Sequence, residues 1–311
     1  MAVLAGDGGI LARVASATPA QEEPAVLIRH LAETVREVRQ GFAGRPVLGL
    51  GVAAPGPLDP KAGVVFEAPN LPRWENVPLA KELESLTGLR VKIGNDANLA
   101  GLAEARCGAG KGARNLVYLT VSTGVGSGIL VDGRLLLGER GVAAEAGHMA
   151  LSMDGPLCSC GNRGCLEAYA SGTSLVRRAR EAMGAGRPSA LARYPEGLAA
   201  ADIAAAADAG DELAQQLIEE AGTALGFGVR NLLHLFNPSV VVIGGGVSRI
   251  GPRLWDPMRR VVDADRLDLY REGLRIVPAE LGDDSGLVGA ALLVQETYGR
   301  QGRRPLGGPR R

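Results

Sequence analysis

Leu116-Val117-Tyr118-Leu119-Thr120-Val121 runs directly into Ser122-Thr123-Gly124-Val125-Gly126-Ser127-Gly128, and this junction decides the fold class. The first six residues read as a buried strand and Ser122 to Ser127 as a glycine loop. Gly128-Ile129-Leu130-Val131 is a second strand, Asp132-Gly133 a turn, and Arg134 to Leu137 the returning strand. The N-terminus has the same layout: Val3-Leu4-Ala5 and Ile10 to Val14 flank Gly6-Asp7-Gly8-Gly9. The second copy is preceded by a strand and a glycine loop, and the first is not. The opening unit therefore reads as a duplicate whose leading strand and loop are absent.

Working outward, a helix is expected from about Ala25 to Gln40, and a buried strand over Val47 to Val52 ending in Pro55-Gly56-Pro57. A strand over Arg90 to Ile93 ends at Asn95-Asp96, and a helix follows from Ala97 to Arg106. Helical spacing runs through Leu213, Leu217, Ala221, Leu225, Val229, Leu232 and Phe236 until Asn237-Pro238 stops it. Val240 to Ile243 is an apolar strand met by Gly244-Gly245-Gly246, and Gly286 to Thr297 is a closing helix. Strands alternating with helices, with glycines at strand ends, give an α/β protein that binds its ligands at those ends.

The chain has 311 residues, enough for two domains, and 46% of them are hydrophobic. The expected division is a smaller α/β domain over 1–112, a larger one with the metal loop over 113–285, a closing helix over 286–298 packing back on the first domain, and a disordered tail over 299–311. Lys plus Arg and Asp plus Glu are 34 each, so net charge offers no case for a nucleic-acid partner. No apolar run reaches the ~20 residues of a spanning helix, and the N-terminus lacks a signal-peptide layout. A cytoplasmic protein with no membrane partner is expected.

Cys158, Cys160 and Cys165 crowd into eight residues, with His148 ten positions upstream. One imidazole and three thiolates form a closed tetrahedral set for structural Zn²⁺. Gly161 and Gly164 supply the tight turns between the sulfurs. Cys107, on a predicted helix away from the others, reads as a packed core residue.

Asp96 stands where a strand ends and a helix begins. Helix capping and general-base chemistry both suit that place. Glu145 and Glu167 flank the metal loop, and each reads either as a solvated surface carboxylate or as part of a site held together by the loop. The Ser122–Gly128 loop offers backbone N–H groups suited to phosphate, though a tight hairpin explains it equally. It is neither a Rossmann nor a Walker A loop. Gly244 to Gly246 is open to phosphate contact or to close packing.

Asn95-Asp96-Ala97-Asn98, Ser122 to Gly128, Glu145-Ala146-Gly147-His148, Cys158-Ser159-Cys160-Gly161-Asn162-Arg163-Gly164-Cys165-Leu166-Glu167 and Val242 to Val247 occur in the order seen in ROK proteins. The resemblance, to a family of sugar kinases and repressors that includes bacterial glucokinases, extends to about Gln295. It implies an actin-like ATPase (ribonuclease H-like) fold with two α/β domains around a cleft, and phosphorylation of a hexose, glucose foremost, with ATP and Mg²⁺. It implies Asp96 as the base for a sugar hydroxyl, and Asn95, Glu145, His148 and Glu167 on the other hydroxyls. His148 would then serve both zinc and sugar. Thr123 and Gly124 would meet the ATP phosphates, and Gly244, Gly245 and Gly246 the adenosine. Val65 to Trp74 with Asn70, together with Gly56-Pro57, would line the sugar pocket. A homodimer is implied by the resemblance alone.

Two departures stand out. Ala144 replaces the glycine that commonly precedes the Glu of Glu-x-Gly-His. The family's first phosphate loop, Asp-x-Gly-Gly-Thr-Lys, has no counterpart, because Gly6 to Gly9 aligns with the hairpin turn after it. A natural start further upstream is the expected explanation. Two alternatives to a kinase are a sugar-responsive regulator, for whose helix-turn-helix domain this chain has no room, and a sugar sensor without turnover.

Overall fold

The structure, a computed structural model, describes residues 1–6 and 8–299. The expected tail from residue 300 onward, and Asp7 of the first turn, lie outside the described residues. The chain divides into two compact units: Met1–Cys107, Leu137–Ala143 and Asp283–Arg311 form unit 1, and Gly108–Leu136 with Ala144–Gly282 form unit 2. The stretch Leu137–Ala143 thus belongs with unit 1, not with the larger domain assigned to it from sequence.

Unit 1 opens with an antiparallel hairpin, β1 (Ala2–Leu4) and β2 (Ile10–Arg13). Helix α1 (Pro24–Gln40) starts on a proline, whose fixed φ suits a first helical turn. It buries Leu27, Ile28, Ala32, Val35 and Val38, the stripe expected of a one-sided helix. β3 (Leu50–Ala54) starts three residues later than expected and runs on to Ala54. Val47 and Leu48 stay outside it, each 41% exposed. A small antiparallel sheet of β4 (Leu58–Asp59), β5 (Val64–Glu67) and β6 (Glu75–Val77) follows. α2 (Leu79–Thr87) ends at Gly88, and β7 (Val91–Asn95) pairs in parallel with β3. α3 spans Asp96–Cys107.

Unit 2 is built on a five-stranded sheet. β8 (Leu116–Val121), β9 (Val125–Val131) and β10 (Arg134–Leu135) form an antiparallel meander. Gly126, Ser127 and Gly128 lie inside β9, so the expected glycine loop shrinks to the turn Ser122-Thr123-Gly124. Helices α4 (Leu166–Ala170), α5 (Gly172–Gly184), α6 (Ala200–Asp208) and α7 (Glu212–Phe236) come next. β11 (Val240–Gly244) enters parallel to β8; α8 (Pro252–Asp263) and β12 (Arg275–Pro278) complete the order β10-β9-β8-β11-β12. Val240 to Ile243 are at most 1% exposed, as expected for a strand covered on both faces. Helix α7 is buried along most of its length and is capped at its start by Asp211, whose side chain accepts the Ala214 N–H at 2.9 Å.

The closing helix α9 (Ser285–Tyr298) belongs to unit 1, where Gly289 brings it against the backbone of Leu99 on α3. In unit 2, β8 pairs with β9 on one side and β11 on the other. Among the described residues of unit 1 no such joining strand is present, and the β1–β2 hairpin and the β3–β7 pair remain separate two-stranded sheets. No helix among the described residues is long and apolar enough to cross a membrane.

Candidate functional site

Asn95 is the last residue of β7 and Asp96 the first of α3. The Asn95 Oδ1 atom accepts the N–H groups of Ala97 at 3.0 Å and Asn98 at 3.1 Å. Asn95 therefore caps the helix, the task that position alone also allows Asp96. Asp96 accepts the N–H of the next residue, Ala97, at 2.8 Å and is also approached by its own backbone N–H. Burial raises its pKa above the usual carboxylate range, against the lowering effect of the Ala97 N–H. The residue still keeps more than a third of its surface open, so the carboxylate is crowded but not enclosed.

Gly56 lies beside Asn95: a Cβ added there would stand 3.1 Å from Asn95 Nδ2. Asn70 is exposed on the turn after β5. The expectation that Val65 to Trp74 line a pocket holds poorly, since Val65, Ala68, Leu71 and Trp74 are all in the core of unit 1. Apolar side chains in a loop follow the core, and residue type alone does not separate core from pocket.

In unit 2, the four proposed metal ligands come together. One ligand atom from each of His148, Cys158, Cys160 and Cys165 lies within 4.8 Å of all the others. Cys160 Sγ and Cys165 Sγ are 3.8 Å apart, and Cys158 Sγ is 3.7 Å from His148 Nδ1. A tetrahedron with Zn–S of about 2.3 Å has edges of about that length, so the set fits zinc. Local pairing produces it: Ala150 bridges Cys165, Leu157 bridges Arg163, and Leu166 N–H donates to Met149 O at 2.9 Å. Gly161 and Gly164 both have left-handed backbone, with φ of 88° and 72°. The three thiols sit in unlike surroundings. Burial, then the neighbouring Cys160 and Cys158, push Cys165 up to about 12, and burial raises Cys158. The Asn162 N–H, outweighing burial, lowers Cys160. Cys107 is exposed at the end of α3, contrary to the core position expected for it.

Glu145 and Glu167 both lie next to this loop. Glu145 is exposed and precedes the short 3₁₀ turn Ala146–His148. That turn is held by Ser127 of β9, whose hydroxyl donates to Ala144 O and accepts the Ala146 N–H at 3.1 Å. Glu167, on α4, accepts the Val125 N–H at 2.9 Å and the Ser159 hydroxyl at 2.8 Å.

The turn Ser122-Thr123-Gly124 has its backbone groups divided in a telling way. Ser122 O accepts the Gly172 N–H at 2.7 Å, and Thr123 O accepts the Thr173 hydroxyl at 2.8 Å. Gly124 O accepts the Ser122 N–H at 2.9 Å, and the Val125 N–H goes to Glu167. All three carbonyls are occupied. The N–H groups of Thr123 and Gly124 carry no bond to another described residue. What remains is a donor-only turn, the arrangement an anion requires.

Thr123 borders a cavity of about 810 Å³ with Thr173, Arg177, Glu181, Ala200 and Gly246. Gly244 and Gly245 border a separate cavity of about 400 Å³. The expected trio therefore splits: Gly246 faces the larger space, whereas Gly245 is fitted against β8, where a Cβ would lie 2.3 Å from Val121 O. Sequence reasoning missed the cavity walls on α5 and α6. The available signal was Ser171-Gly172-Thr173-Ser174, a helix start placed soon after the metal loop and capped by Ser171 onto the Ser174 N–H at 3.2 Å.

Comparison with known proteins places these features in one family. The sequence model of the ROK family matches residues 1–297. The glucokinase of Thermotoga maritima is 40% identical over 296 residues, covering 94% of this chain and 92% of that protein. A ROK family glucokinase from Streptomyces griseus, solved with glucose and AMPPNP, is 35% identical with a TM-score of 0.77, covering 95% of each chain. A ROK family transcriptional regulator, a homologue of the E. coli MLC protein, gives a TM-score of 0.84 at 30% identity, covering 96% of this chain and 75% of that one. The fold is accordingly the actin-like ATPase fold, mixed α/β in both units. Its motifs, its chain path and its near full-length match agree, and the chain belongs to the ROK family.

Proposed function

We propose that this chain is an ATP-dependent hexose kinase, with glucose as first substrate and Asp96 as general base. The observation that carries the reading is Asp96 itself: a carboxylate at the C-terminal end of a parallel strand, relieved of capping by Asn95 and raised in pKa by its crowding. The similarity to proteins named glucokinase supports the substrate and the donor.

In this reading Asp96 takes the proton from the attacking sugar hydroxyl. The family resemblance assigns Asn95, Asn70 and Gly56, and likewise Glu145, His148 and Glu167, to binding sugar hydroxyls. Positioning of this kind is the main protein contribution to phosphoryl transfer. The N–H groups of Thr123 and Gly124 hold phosphate oxygens, and the cavity beside them, with Gly246 in its wall, takes the nucleoside. Gly244 and Gly245 border the smaller cavity and pack on Ala279 and Val121. ATP supplies the phosphoryl group, and Mg²⁺ neutralises phosphate charge when bound. His148, Cys158, Cys160 and Cys165 hold a structural zinc that fixes the orientation of His148 toward the sugar. A cytoplasmic location and a homodimer belong to the same reading and rest on the family.

A second reading, a sugar sensor without turnover, is favoured by the likeness to the transcriptional regulator. A coupled assay of ADP formation across glucose, mannose and N-acetylated hexoses separates the two. Sugar-dependent ADP formation is expected. Intact sugar binding with no ADP formed for any hexose establishes the sensor instead.

A further inference from the structure

We propose that Glu167 is a positioning residue that ties the metal loop to the phosphate-binding turn, so that a filled metal site strengthens nucleotide binding. This rests on the nucleotide and zinc assignments above. The two carboxylate oxygens of Glu167 face different parts of unit 2. Oε2 accepts the N–H of Val125, the residue directly after the Ser122-Thr123-Gly124 turn. Oε1 accepts the hydroxyl of Ser159 and lies 3.7 Å from Cys158 Sγ. The turn is also packed on the carboxylate: a Cβ at Gly124 would stand 2.6 Å from Oε2.

On the metal side, donor and acceptor both belong to the metal loop. Ser159 follows the ligand Cys158, and Glu167 comes two residues after the ligand Cys165. An ion held by the four ligands fixes donor and acceptor together. Of the anchors on the turn, Gly172 and Thr173 come from α5 and hold the carbonyls of Ser122 and Thr123. The Val125 N–H is the anchor that runs through the metal loop. Its loss leaves the β8 pairing and the Gly147 contact as the hold on Val125 and loosens the N–H groups of Thr123 and Gly124, whose alignment gives an anion its affinity. Coupling of this kind is reciprocal, so bound nucleotide must retain zinc by the same factor.

The test uses ADP without sugar, so that any contact of Glu167 with the sugar does not enter. ADP affinity is measured by calorimetry on zinc-loaded and chelator-stripped chain, and zinc retention against a chromophoric chelator with and without ADP. Stripping is expected to weaken ADP about tenfold, and ADP to raise zinc retention about tenfold. Glu167→Ala is expected to abolish both effects and Ser159→Ala to reduce them. Glu167→Gln, which keeps an acceptor for the Val125 N–H, is expected to preserve most of the coupling. Equal ADP affinity with and without zinc, or full coupling in Glu167→Ala, overturns the proposal and leaves the kinase reading intact. If the stripped chain unfolds, zinc retention in loaded wild-type and variant chains decides alone. Failure of zinc-loaded chain to bind ADP removes the nucleotide assignment, and the strut with it.

Discussion

Gly147 lies so close to Val125 that a Cβ at position 147 would stand 2.0 Å from the Val125 carbonyl oxygen. The glycine of the Glu-x-Gly-His segment is thus a packing requirement, set by the first residue of β9. Gly147→Ala must push the 3₁₀ turn off the strand, which carries His148 and Glu145 with it. The expected cost is about 1–3 kcal/mol, the range for overpacking a tight contact, with weaker zinc retention. Denaturant unfolding and metal analysis check this, and unchanged values for both would refute it.

Ala144 has a φ of 68°, in the left-handed region where a side chain is strained. Sequence comparison alone makes its replacement of a glycine look minor. Ala144→Gly is expected to stabilise the chain by about 1 kcal/mol, relief of strain exceeding the added freedom of the unfolded chain. Thermal unfolding decides the sign.

Asp96→Asn should reduce turnover by about 10²–10⁴-fold or more while sugar binding survives. The raised pKa also fixes the sign of its stability effect. A carboxylate whose folded pKa lies above its unfolded value costs stability as pH rises from the unfolded value through the folded one. Above that window the variant should be as stable as the parent or more so. Activity of the parent should fall on the acid side as Asp96 protonates, at a pH above the ordinary aspartate range. Near-normal turnover in the variant would remove Asp96 as base.

Purified chain should hold about one zinc, and Cys165→Ala should hold far less and melt at lower temperature. Cys107→Ala is the control: Cys107 is exposed and not a member of the ligand set, so full zinc content is expected. Mass spectrometry under native conditions reads both. Zinc lost equally from the two variants would contradict the assignment.

Asp211 accepts N–H groups from Ala214 and Ala190 and the Ser189 hydroxyl. Burial alone would raise its pKa, but these donors outweigh it and the net shift is downward. Its stabilising effect is therefore complete above the unfolded carboxyl pKa and is lost as pH falls through the lower folded value. Asp211→Ala should cost about 1 kcal/mol at neutral pH, the usual loss of a helix cap, and the difference from the parent should shrink in acid. Unfolding curves at the two pH values test this.

Much of the site could be read from spacing because it is local. Cys158, Cys160 and Cys165 close a short loop, and the turn glycines between them mark it. At the Asn95–Asp96 junction the capping bonds go to Asn95, a choice that residue types at a strand–helix junction leave open. The start of β9 was placed too late because Gly126 and Ser127 look like loop residues, whereas their pairing with β8 keeps them extended. Val65, Ala68, Leu71 and Trp74 were not legible as core because burial depends on which elements cover a segment.

The sequence alone determined the α/β class, the cluster of His148 with Cys158, Cys160 and Cys165, and the position of the carboxylate after β7. Each of these depends on residues near one another in the chain, through periodicity, turn chemistry and ligand spacing. The tertiary structure decided the rest: Thr173 and Gly172 occupying the carbonyls of the Ser122–Gly124 turn, Glu167 reaching from the cysteine loop to Val125, Gly246 parting from Gly244 and Gly245, and Ala144 held in a left-handed backbone. Those contacts join segments tens of residues apart. They exist because packing the helices on the β8–β11 sheet fixes which backbone donors and acceptors meet and which are left for a ligand.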